Sequence, residues 1–142
     1  MSSQFDAAGT AIPTATLVVR GIVATVVALV ANGVILGAVL ATELVAPIDP
    51  LSIGPVALFT ILGVAGATLV FGVLTRRSDR PNRTFLLLAA AVLVLSFGPD
   101  LWLWQSDPAA TMGAVAVLMV MHAVVAASSV VALTDRYSPI AR

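Results

Sequence analysis

Four runs of apolar residues constrain this chain more than any motif in it, because each is free of aspartate, glutamate, lysine and arginine and most approach the length of a membrane crossing. They extend from Gly21 to Thr42, from Val56 to Leu74, from Thr84 to Phe97 and from Ala109 to Thr134. A helix rises 1.5 Å per residue, and a hydrocarbon core of about 30 Å takes roughly 20 residues. Composition points the same way: 60% of the 142 residues are hydrophobic and 10% are charged, whereas a soluble domain is about half apolar and a quarter charged. The expected fold is therefore all-α, an integral membrane four-helix bundle in a single domain, with spans near 18–44, 54–75, 84–98 and 108–134.

Charge sets the expected orientation. Arg76, Arg77, Arg80 and Arg83 crowd the connection between the second and third runs, and Arg20, Arg136 and Arg142 fall on the same side. Glu43, Asp49, Asp100 and Asp107 occupy the opposite side, without a basic residue. Basic residues are retained on the cytoplasmic face, so both termini are expected inside, in a multi-pass protein of the cytoplasmic membrane. Residues 1–15 read as a flexible cytoplasmic tail rather than a secretory signal, since the first apolar run is too long for one and follows Arg20.

Breakers divide the spans. Pro47, Asp49, Pro50, Gly54 and Pro55 make a tight, mildly acidic turn. Gly98 and Pro99 are expected to cut the third run, leaving Arg83 to Asp100 only about 25 Å apart, a few Å short of a core. Trp102 and Trp104 then serve as interface anchors, with Tyr137 doing the same after the fourth span. Asp107 and Pro108 look like the N-cap and first turn of the fourth helix.

The chemistry available is narrow. There is no cysteine, which removes disulfides, iron–sulfur clusters and thiol redox relays. One histidine and a few carboxylates in the connections offer no metal site and no cofactor box. No HExxH, GxSxG, GxGxxG or P-loop pattern occurs. Seven arginines, placed singly or in the one short loop and without a lysine, make no extended face for nucleic acid. With every carboxylate assigned to a tail, a helix end or a connection, the pattern also speaks against proton-coupled transport through a buried acid.

Small residues suggest where helices approach closely. Gly33, Gly37 and Ala41 form one such stripe, and Gly63 with Ala67 form another, suited to packing within the chain or between copies. Two polar residues fall near the middle of spans, Asn32 in the first and His122 in the fourth. Both are costly at that depth. His122 shares a helical face with Ala126 and Ser129, and an amide and an imidazole would pair if the first and fourth helices were neighbours.

The Phe97-Gly98-Pro99 break and the Met121-His122-Ala123 step also resemble, over residues 20–137, a family of uncharacterised small four-span prokaryotic membrane proteins, grouped as a domain of unknown function. The resemblance implies a four-helix membrane fold and no assigned activity. The expected function is non-enzymatic, a binding or structural component whose partners are the lipid bilayer and, in an assembly, a second copy or another membrane protein. An oligomeric transporter or channel subunit is the alternative, and an enzyme acting on a lipophilic substrate comes third. Transport would need polar residues of several helices to converge on a cavity; catalysis would need a titratable partner for His122.

Overall fold

The computed structural model describes residues 12–46 and 48–134. Within them the chain forms four helices and no strand: α1 (Thr14–Thr42), α2 (Ile53–Arg77), α3 (Pro81–Ser106) and α4 (Met112–Leu133). All four are long and apolar enough to cross a membrane, and they make a multi-pass bundle. Thr14 and Ala15, expected in the tail, already belong to α1; the rest of that tail before Ile12, and Pro47, Arg136, Tyr137 and Arg142, lie outside the described residues.

Each helix ends for a local reason. Glu43 closes α1 in the left-handed region, at φ 50°, where its N–H reaches the Val39 carbonyl. Ile48 and Leu51 then turn back into the bundle, joined by a 2.9 Å bond from Leu51 N to Ile48 O, and plug its end. Ser78 ends α2 on the Leu74 carbonyl, and Pro81 opens α3 at a position where its missing N–H costs little.

Two expectations about boundaries are corrected. Helix α3 does not stop at Gly98 and Pro99 but continues through Pro99 to Ser106, so its 26 residues rise about 39 Å and no shortfall exists. Proline deprives the Leu95 carbonyl of its partner. In apolar surroundings, ending the helix there would strand several more backbone groups, and the chain keeps the rest of its ladder. Helix α4 starts at Met112, capped by the Thr111 side chain accepting from Ala114 N at 3.2 Å. Asp107 instead ends α3 and accepts from Ala109 N at 2.9 Å in a tight turn.

Packing is uneven around the bundle. Helix α1 lies along both α2 and α4, and α3 lies chiefly on α4; α2 meets α3 and α4 more thinly, and α1 and α3 stand on a diagonal without touching. Along α3 only Phe85 and Asp100 are buried. Leu69 and Leu95, 71% and 73% exposed, typify an outer surface of large apolar side chains that suits lipid and not water. The interior falls into three clusters. Phe71, Phe85 and Leu133 sit at the arginine end, Ala24, Ala28, Val64 and Ala132 in the middle, and Leu36, Leu118 and Met121 toward the acidic end.

Candidate functional site: a polar layer in an intramembrane cavity

The thin contact between α2 and α3 leaves a cavity of about 760 Å³, walled by α2, α3 and α4 and floored by α1. Its lining is mostly aliphatic and aromatic. The rim carries Phe59 and Val70 from α2 and Leu88, Val92 and Trp102 from α3, all exposed, so the cavity opens sideways between those two helices. An edge contact of Phe71 on Phe85, with ring centroids 5.0 Å apart, joins α2 to α3 beyond it at the arginine end.

Each helix contributes at least one polar side chain of the lining at a similar depth, α3 adding Ser96 to Asp100. Asn32, Thr60, Asp100 and His122 stand between about 9 and 15 Å along their helices from the acidic end, counted at 1.5 Å per residue. Asn32 is 2% exposed and donates through Nδ2 to Thr60 Oγ1 at 3.0 Å. Its Oδ1 is buried without a hydrogen-bond partner. His122 Nδ1 lies 2.9 Å from the Leu118 carbonyl and 3.2 Å from Asp100 Oδ2. The carbonyl only accepts, so Nδ1 carries a hydrogen, which points to Leu118; Oδ2 is close enough for charge attraction but receives no aligned hydrogen bond.

Asn32 and His122 therefore share a cavity without forming the expected pair. The reason is rotational. Leu118 and Met121 turn the inner face of α4 toward Leu36 of α1, and His122, one residue on, is swung about 100° toward α3. Ala126 and Ser129 line the cavity with it, as their shared face implies.

Asp100 requires the larger correction. Reading it as part of a connection depended on the helix ending at Pro99; instead it is a buried helical carboxylate, 6% exposed, in the cavity wall. It supplies the titratable partner for His122 that the sequence did not reveal. Among the described residues no group of three histidine or carboxylate side chains comes together to hold a metal ion.

The small residues divide. Gly33, Gly37 and Ala41 face outward, and a methyl added at either glycine would meet nothing within 4 Å, so this stripe packs nothing within the chain. Gly63 approaches Val125, and Ala67 packs beside Phe71. The tightest approaches lie where no stripe was expected, at Gly72, whose added Cβ would stand 2.6 Å from Leu17 Cδ2, and at Gly21, where it would stand 2.8 Å from Thr68 Oγ1.

The remaining charged and aromatic candidates lie near helix ends. Arg76 reaches Thr14 Oγ1 at 3.3 Å, and Arg77 is exposed. Arg80 and Arg83 line a second cavity of about 450 Å³ at the arginine end. Arg20 is buried and donates to the Leu133 carbonyl at 2.9 Å, satisfying one of the orphan acceptors at the end of α4. Trp102 and Trp104 occupy the last turns of α3 and are exposed.

Residues 7–139 match the model of a family of unknown function, DUF6069, and the chain belongs to that family. No curated protein and no solved structure matches it.

Proposed function

We propose, taking membership of this family as the premise, that the protein binds a lipophilic molecule carrying a hydrogen-bond donor, with its apolar body between α2 and α3 and its head at the polar layer. The observation that carries this reading is the buried Asn32 Oδ1, unpartnered in the wall of a cavity of about 760 Å³. An orphaned buried acceptor costs about 1 to 3 kcal/mol. A ligand hydroxyl or ammonium would recover that cost. Large apolar cavities with a few convergent polar groups are the usual form of small-molecule sites.

Titrating the full chain in lipid nanodiscs with 1-adamantanol tests it. One saturable site above the uptake of empty nanodiscs is expected, weakened roughly tenfold by Asn32→Ala. Non-saturable uptake, or an affinity indifferent to Asn32, would overturn the reading. A second reading, a transporter subunit, is favoured by the convergence of polar side chains from all four helices.

The cytoplasmic membrane is the proposed location, with the arginine end inside. The clustering of Arg76, Arg77, Arg80 and Arg83 at one end supports this. Cysteines introduced at Asp49 and Asp107 should react with an impermeant thiol reagent on intact cells, and one at Ser78 should not; labelling of Ser78 alone reverses the topology.

A further inference from the structure

The charge balance of the polar layer restricts which ligand head it suits. Of the side chains that line the cavity, Asp100 and His122 are the two that titrate; α1 and α2 present Asn32 and Thr60, which do not. The other charges on these helices stand elsewhere. Arg20 is engaged with Leu133 toward the opposite end, Glu43 caps α1, Arg76 and Arg77 end α2, and Arg83 faces the second cavity.

A lone carboxylate charge buried at this depth costs several kcal/mol. The resting pair therefore holds one exchangeable proton and is neutral overall, whether as carboxylate with imidazolium or as carboxyl with imidazole. His122 keeps its Nδ1 hydrogen on Leu118 in both forms. The exchangeable proton sits on Nε2 or on the carboxyl of Asp100.

We infer that the ligand is a lipophilic ammonium, and that its binding expels this proton. The inference rests on the binding reading above and names its ligand class. Asn32 Oδ1 and Asp100 Oδ2 both await a donor, and an ammonium offers several hydrogens together with the charge that a carboxylate complements. A cation entering a neutral, poorly solvated site would leave it with an uncompensated charge, which is strongly disfavoured. Loss of one proton restores neutrality. The ammonium brings one positive charge, one proton leaves Nε2 or the carboxyl for bulk solvent, and carboxylate, neutral imidazole and bound cation remain. No bond in the ligand changes.

The test compares 1-adamantanamine hydrochloride with 1-adamantanol, which share one apolar body, on the full chain in nanodiscs. Calorimetry at neutral pH in two buffers of different ionisation enthalpy counts the protons released. The amine is expected to bind roughly tenfold tighter than the alcohol or better and to release about one proton, while the alcohol releases none. Asp100→Asn should abolish both the preference and the release, with the helical circular dichroism and the unfolding midpoint of the variant reporting that the bundle is still formed. If that variant does not fold, the proton count on the wild type decides alone. Equal affinities, or amine binding without proton release, overturn the ammonium inference and leave the binding reading standing. Failure of both probes to bind overturns that reading itself.

Discussion

The two sides of the bundle solve opposite problems. Where α1 meets α2 and α4, small residues bring backbones together: Gly21 against Thr68, and Ala24 and Ala28 against Val64 and Ala132. Where α2 faces α3, the helices touch thinly and enclose space that holds an acid, a base and an amide. In lipid, apolar side chains gain little by leaving the solvent, so association depends on close packing. The difference teaches that the α1 seams supply cohesion, which leaves the α2–α3 side free to remain open.

The largest effect should come from filling one side or the other. Gly21→Leu forces a side chain onto the stiff, β-branched Thr68 and is expected to cost about 2 to 3 kcal/mol in reversible unfolding in mixed micelles. Gly66→Leu adds the same volume where nothing lies within 4 Å, on the cavity wall. Its stability should change by less than about 0.5 kcal/mol while 1-adamantanol binding weakens. Equal costs at the two glycines would erase the distinction.

A smaller loss, about 2 kcal/mol, is expected for Arg20→Met, which keeps the stem and removes the charged donor to Leu133. Unchanged unfolding would show that α4 is held at its end by helix packing alone. The smallest effect separates the polar contacts. A double-mutant cycle on Asn32→Ala and Thr60→Ala should give a coupling of about 0.6 kcal/mol, and the cycle on Asn32→Ala and His122→Ala should be additive. Coupling in the second cycle would mean that α4 is rotated from its observed orientation.

The bundle was legible in the sequence because apolar run length and charge placement report directly on crossing a membrane. The site was less legible, for two reasons that trace to particular residues. In water the hydrogen bond lost at Pro99 would end the helix and leave Asp100 in a loop away from His122; in lipid the helix continues and brings the two together. On α1, two stripes of residues at four-residue spacing lie about 100° apart. Gly33, Gly37 and Ala41 carry the glycines, yet the buried stripe is Ala24, Ala28, Asn32 and Leu36. Asn32 was the available signal, since a polar residue at depth turns its helix face inward.

The sideways opening at Phe59, Val92 and Trp102 changes what an affinity for this cavity means. A ligand arriving through that rim comes from the hydrocarbon phase, where an amphiphile with a membrane–water partition ratio of roughly a thousand is already a thousandfold concentrated. That enrichment corresponds to about 4.1 kcal/mol. A site that is only millimolar for ligand dissolved in the bilayer would then register as micromolar against the aqueous concentration. The polar layer need not bind tightly, only choose among molecules that the membrane has already gathered.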